Sequence, residues 1–344
     1  MTRSLLPAFL LFAGLATAGC GGDGRTPLVL YSPHGRDLLA LVEESFEAAY
    51  PQIDVRYLDM GSQEIFDRVR TEAANPQCDV WFGGPATIFA RAAGSGYLEA
   101  YEPTWASAIP AESRHPDHLF TALYRTPPVL VYNEDAVPSE EAPSDWEDLL
   151  DERWADKVLI RDPLASGTMR TVFGMVLSQS VRDHGSPDAG FEWLRQLDAQ
   201  TKAYAQNAAL LHQKIIRQEG LVTTWTLTDI LIQRERGAPL GYHFPTSGSP
   251  IINDSIALIK GGRNPEAAKS FIDWIGEKEA LMLATSKAYR LPAREDLSPD
   301  ELPEWARNAI AELHAAEMDW KMIEENGAEW LETWDRTIRG RGKQ

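Results

Sequence analysis

Short apolar runs alternate along this chain with segments whose apolar residues recur at helical spacing. Pro27-Leu28-Val29-Leu30-Tyr31-Ser32 predicts a strand, and Asp37 to Tyr50 places Leu38, Leu41, Phe46 and Tyr50 at helical intervals before Pro51 closes the helix. Residues 53–58 predict a second strand. Gly61-Ser62-Gln63-Glu64 then opens a helix through Ile65, Phe66 and Val69 with a Ser-capping pattern. Asp79 to Phe82 predicts a third strand, Gly83-Gly84-Pro85-Ala86 a turn, and Ile88 to Ala93 a helix ended by Gly94-Ser95-Gly96. Strand, small turn and helix repeated in this way imply βαβ units and a parallel sheet.

The pattern then changes. Thr121 to Tyr132 is a long extended run, read as a crossover strand into a second lobe. Trp146 to Leu150 predicts a short helix. Lys157 to Asp162 predicts a strand ended by Pro163, with the loop Leu164-Ala165-Ser166-Gly167 and an apolar run from Met169 to Leu177 opened by Thr168. A helix over 190–197, a strand over 201–205 with Asn207 just past its end, and a helix over 208–218 follow. Strands are expected at 221–226, leading into Leu227-Thr228-Asp229, and at 240–245. Residues 251–259 read as a strand returning to the first lobe, and Asn264-Pro265 starts a helix. Trp320, Ile323, Trp330, Leu331, Trp334 and Ile338 share one helical face, expected to pack on the second lobe. A chain of 344 residues exceeds what a single core usually serves. The expected fold class is α/β with two lobes and a ligand cleft between them. The first lobe takes residues 28–125 and 250–285, and the second takes 126–249 and 286–344.

Composition narrows the function classes. The net charge of −18 makes nucleic acid an unfavourable partner. Arg3 followed by an apolar stretch from Leu5 to Ala16 has the layout of a signal peptide over residues 1–19. Thr17-Ala18-Gly19-Cys20 resembles a bacterial lipobox, with Thr17 departing from the usual Leu, so Cys20 is the expected lipidation site and residues 20–27 a flexible tether. The only other cysteine, Cys78, then has no disulfide partner and reads as a small core residue. No GxSxG elbow, HExxH helix or P-loop is present, which speaks against a hydrolase of the phosphatase or esterase type.

In open α/β sheets, ligands sit beyond the carboxyl ends of the strands. Four polar turns gather there: one carrying His34, one with Gly61 and Ser62, one with Gly83 and Gly84, and one with Ser166, Gly167 and Thr168. A strand, a small-residue turn and a helix aim several unpaired N–H groups at one point, and the simplest ligand for them is an oxyanion: phosphate, phosphonate, sulfonate or carboxylate. The same Ser and Thr residues also serve as ordinary helix caps. Arg161 and Arg170 stand close by in sequence, either to pair with the anion or in structural roles.

Asp79-Val80-Trp81-Phe82-Gly83-Gly84-Pro85-Ala86, Asp162 to Thr168, Lys260 to Trp274 and Arg290-Leu291-Pro292-Ala293-Arg294 resemble motifs of the extracellular solute-binding proteins of ABC importers. The resemblance covers nearly all of residues 28–295, and is greatest to the branch of ferric-iron-binding proteins and their relatives that bind sugar phosphates or phosphonates. It implies a two-lobed periplasmic-binding-protein fold of type II, with two crossover strands and a hinge near Thr126–Val131 and Tyr242–Ile251. Its ferric ligands would be a His, a Glu and a tyrosine pair. His34 stands near the first, whereas Gly84 and Trp225-Thr226 occupy the others, so metal binding by that set is not expected. Its anion-binding positions are better kept: Ser166, Gly167, Thr168 and Asn207 match, and Thr223 replaces an Asn. Trp81 or Trp225 would cover an organic body, and Asp229 would accept from hydroxyls or an ammonium group, or else act as a helix N-terminal acid. The implied partners are a small anionic solute, an ABC permease and the membrane through an N-terminal lipid. The expected form is a monomer at the periplasmic or outer surface, with no cofactor, no metal and no catalysis. Uptake of ferric iron or another metal with a substituted ligand set, and a sensory lipoprotein, are the alternatives.

Overall fold

The computed structural model describes residues 24–342. The expected signal peptide, the expected lipidation site Cys20 and the beginning of the expected tether lie outside the described residues. Among the described residues, no helix is long and apolar enough to cross a membrane.

The chain first lays down β1 (Thr26–Ser32), α1 (Arg36–Ala49), β2 (Ile53–Asp59), α2 (Ser62–Glu72), β3 (Val80–Pro85), α3 (Ala86–Gly94), β4 (Leu98–Glu99) and β5 (Thr121–Thr126). It crosses at Pro127 into β6 (Pro128–Asn133), then forms β7 (Val158–Arg161), α4 (Gly167–His184), α5 (Asp188–Gln200), β8 (Thr201–Ala205), α6 (Ala208–Ile216), β9 (Val222–Thr226), α7 (Leu227–Glu235) and β10 (Leu240–His243). It returns through β11 (Ile252–Ile259), α8 (Pro265–Ile275), α9 (Lys278–Ala288) and β12 (Leu291–Pro292), and ends in α10 (Glu304–Glu312) and α11 (Trp320–Thr337).

Two mixed sheets result. The first has the order β12-β5-β11-β3-β1-β2, with β4 also on β11. β1 is parallel to β2 and β3, and β11 runs antiparallel between β3 and β5. The second has the order β10-β6-β9-β7-β8, parallel from β9 through β7 to β8. The first sheet is covered on both faces: Leu38, Phe46, Phe82 and Phe271 fill one side, and Ile65, Trp81 and Phe89 the other. The second lobe's core gathers Leu130, Leu159, Met169, Phe173 and Ile230. Ile323, Trp330, Leu331, Trp334 and Ile338 join that core, as their spacing predicts, and α11 packs on α4. Trp320 differs: it opens α11 and stays exposed.

Two differences from expectation bear on the site and the lobes. The Gly83-Gly84-Pro85 turn is the end of β3, because Asp254 of β11 pairs with Pro85 across a bulge and both glycines take positive φ, 102° and 120°. Trp146–Leu150 is the short helix expected there, of the 3-10 type, capped by Asp145 and Asp148. The division at residue 286 falls too early, since Ala288 and Ala293 belong to the first lobe's core and β12 pairs with β5.

Candidate functional site

The two lobes touch where the carboxyl ends of their strands face each other. Gly61 is the N-cap of α2, and Ser62 opens that helix. Ser166 caps α4, its Oγ accepting from the Met169 N–H at 3.2 Å. Gly167 and Thr168 open the helix, so their N–H groups have no intrahelical acceptor. A Cβ on Gly167 would stand 2.7 Å from Pro85 Cδ and 3.1 Å from Ser62 Oγ of the opposite lobe. A Cβ on Gly84 would stand 3.0 Å from the same hydroxyl. One on Gly61 would stand 2.6 Å from the Ala165 carbonyl oxygen and 3.7 Å from the Arg161 guanidinium. Two helix N-termini, one from each lobe, thus meet beside a buried arginine.

His34 lies next to this cluster, only 7% exposed. Its ring packs edge-on against Phe82 and Tyr124, with centroids 4.6 and 5.7 Å away, and fills the space a side chain at Gly83 would need. Neither ring nitrogen has a hydrogen-bond partner, and Nε2 lies 3.8 Å from Asp254 Oδ2. Asp254 Oδ1 accepts from the Gly84 N–H at 2.9 Å, and Oδ2 accepts from the Thr126 hydroxyl. Arg290 donates to the His34 carbonyl at 3.0 Å, while its Nε and the Tyr124 hydroxyl are buried without partners. Burial pushes the His34 imidazole below its usual range and the Arg290 charge adds to this, with Asp254 and Asp229 opposing. Burial alone would raise the Asp254 carboxyl. His34, Arg290 and Thr126 outweigh it and hold the group below its usual range.

A second pole is acidic. Trp225 Nε1 donates to Asp229 Oδ2 at 2.6 Å, leaving Oδ1 for another donor. Burial lifts the Asp59 carboxyl of the first lobe above its usual range, with Asp229 pushing the same way. The His212 imidazole is lowered by burial, and its Nε2 has no partner.

His34, Gly61, Ser62, Gly83, Gly84, Ser166 and Gly167 are therefore brought together, with Thr168 beside them in the first turn of α4 and Trp225 and Asp229 on the acidic side. Asn207 is the exposed cap of α6, its Oδ1 accepting from the Leu210 N–H at 2.8 Å. Thr223 is the second residue of β9, buried between β6 and β7, and its hydroxyl turns to the carbonyl of Thr224. Trp81 cannot cover a solute: it is fully buried in the first lobe's core, stacked near Phe89, with its Nε1 bonded to the Gly83 carbonyl. Arg170 donates to the Leu164 carbonyl at 2.7 Å, and burial pushes its guanidinium down to about 10. Arg161 donates to the carbonyls of Asp162 and Ala205. Among the described residues, no group of three His, Cys, Asp or Glu side chains is placed to hold a metal ion.

Sequence reasoning assigned no role to Asp254, Arg290 or Tyr124. The signal for Asp254 was present, since a charge inside the apolar run 251–259 demands a buried partner.

Comparison with known proteins bears on this arrangement. Residues 79–315 match the family described as bacterial extracellular solute-binding protein. A probable ABC transporter periplasmic-binding protein of Sinorhizobium fredii is 25% identical over 312 residues, covering 91% of this chain and 86% of its own. A putative 2-aminoethylphosphonate-binding periplasmic protein of Salmonella typhimurium is 28% identical over 276 residues, 78% of each chain. Among solved structures, the periplasmic binding protein AfuA from Actinobacillus pleuropneumoniae, with exogenous fructose-6-phosphate bound, aligns at a TM-score of 0.80 and 24% identity, covering 92% of this chain and 99% of its own.

Proposed function

The chain belongs to the bacterial extracellular solute-binding proteins and is the substrate-binding component of an ABC transporter; from that premise we propose that its solute is a small organic anion bearing a phosphate or phosphonate group. The observation that carries this reading is the meeting of two helix N-termini, at Ser62 and Gly167, across the seam between the lobes. Each such terminus favours a negative group by roughly 0.3–1 kcal/mol, more when partly buried. The Gly167 and Thr168 N–H groups, the Ser62 and Thr168 hydroxyls and the Arg161 guanidinium supply donors of the required kind. Trp225 and Asp229 face the rest of the solute, and the free Asp229 oxygen accepts from a hydroxyl or an ammonium group. The relative whose name carries 2-aminoethylphosphonate supports this solute class.

Capture works by differential binding. The open form binds the solute with one lobe, the closed form with two, so the solute shifts the population toward closure. The chain pivots at Thr126-Pro127 and at residues 244–251. The closed protein then presents its cargo to a permease. We also propose that Cys20 is acylated and anchors the protein as a monomer at the membrane; Cys20→Ala would move it from the membrane fraction to the soluble fraction.

A thermal-shift panel on the purified protein tests the solute. The panel holds 2-aminoethylphosphonate, hexose phosphates, inorganic phosphate, carboxylates and ferric citrate. A ligand at 100 times its Kd adds about 2.7 kcal/mol to stability. A rise with a phosphate or phosphonate compound and none with iron is the expected result; a rise with ferric citrate alone would overturn the reading.

A further inference from the structure

Two close approaches between the lobes involve positions without a Cβ. Gly61 of the first lobe lies against the Ala165 carbonyl of the second, and Gly167 of the second lies against the Pro85 ring of the first. An alanine at Gly61 would bring its Cβ to 2.6 Å from the Ala165 carbonyl oxygen, and one at Gly167 would bring its Cβ to 2.7 Å from Pro85 Cδ, both under the 3.0 Å below which something must shift. At Gly61 the obstructing atom is backbone and at Gly167 it is a proline ring, and neither can swing aside. Backbone freedom does not explain these glycines. Gly61 has φ −62° and ψ 149°, an extended conformation open to any residue, and Gly167 is an ordinary first residue of α4. Within its own lobe, each position would accept alanine, and α4 would gain helix propensity from it.

We propose that Gly61 and Gly167 are the closure stop of this protein: they let the backbone of one lobe meet the Ala165 carbonyl and the Pro85 ring of the other across the seam, and so set how far the lobes close on the solute. This deepens the capture reading above and rests on it.

Cross-linking tests the stop without any ligand. Asp37 and Arg236 form an ion pair across the seam at 2.6 Å, and both are exposed. In a Cys20→Ala background, Asp37→Cys with Arg236→Cys gives a pair that a short bismaleimide joins when the lobes meet; Cys78 is buried and does not compete. Adding Gly61→Ala or Gly167→Ala is expected to slow cross-linking at least tenfold with the melting temperature of the free protein unchanged. Gly94→Ala, where a Cβ meets nothing within 4 Å, is expected to cross-link at the parent rate. Unchanged rates in folded Gly61→Ala and Gly167→Ala proteins would overturn the proposal. So would a loss of melting temperature in both, which would place the glycines in the folding of each lobe. In parallel, Kd for 2-aminoethylphosphonate and fructose 6-phosphate is expected to rise at least tenfold in both variants. If the parent binds neither probe while cross-linking is still slowed, the solute class fails and the closure stop stands.

Discussion

Asp254 joins the hinge to the seam. It accepts from Thr126, the last residue of β5 before the chain crosses, and from the N–H of Gly84 at the end of β3, beside Pro85, which meets the second lobe. Asp254→Ala leaves two buried donors without an acceptor and the Arg290 charge without its counterpart. The expected cost is about 3 kcal/mol in urea unfolding. His34 and His212 give a second test. Both are held below the ordinary imidazole value of 6.5, His34 and His212 alike through burial. The unfolded chain takes up those protons as pH falls through 6.5 while the folded chain does not, so in that window the unfolded state binds more protons and stability drops with pH. Asp254, also lowered, adds the same sign further down, below the unfolded carboxylate value of 3.8. The melting temperature is expected to decline from about pH 7 to about pH 5, and the slope to shrink in His34→Gln; a flat profile would contradict this. At this scale the sequence revealed residues that follow strand ends, such as His34 and Ser166. It misplaced Trp81 because that strand is buried on both faces, and alternation then carries no information about which side meets solvent.

Among the elements, α4 carries two roles that one residue separates. Ser166 caps the helix and also sits at the seam. Ser166→Ala is expected to cost about 1 kcal/mol of stability and to weaken anion binding. Ser166→Asp keeps a good cap but adds a negative charge, so stability is kept while anion binding is lost; equal affinity in Ser166→Asp and the parent would exclude an anion at this helix. α11 is the other telling element. Its apolar stripe was legible as a helical face, and it covers α4 as that spacing requires. Trp334→Ala empties a fully buried site in the second lobe's core and is expected to cost about 3–5 kcal/mol. The end of β3 was not legible as strand. Two glycines and a proline carry turn chemistry locally, and only pairing with Asp254, far away in sequence, extends the strand through them.

For the whole molecule, charge opposes the proposed task. A net charge of −18 repels an anion at long range, while the helix N-termini attract it only within the seam. The association rate for a phosphonate is therefore expected to rise as ionic strength goes from about 0.01 M to about 0.15 M, where the screening length falls from about 30 to about 8 Å; a fall in stopped-flow rate over that range would mean that local attraction dominates encounter. The lobes were legible from chain length and from the crossover and return strands, because both connections are extended apolar runs. The last passage was not, since β12 is too short to announce itself and is recognised only by its pairing with β5.

The placement of β11 has a consequence for how the protein is made. It is an interior strand of the first sheet, between β3 and β5, yet it is synthesised only after the whole of the β6–β10 segment. A chain emerging amino end first carries β1 to β5 as an unfinished sheet, with the edges of β3 and β5 unsatisfied, while the second lobe already has all its strands and lacks only α10 and α11 of its core. The second sheet is thus able to form before the first is complete, and a nascent chain paused before residue 252 exposes strand edges that invite pairing with other chains.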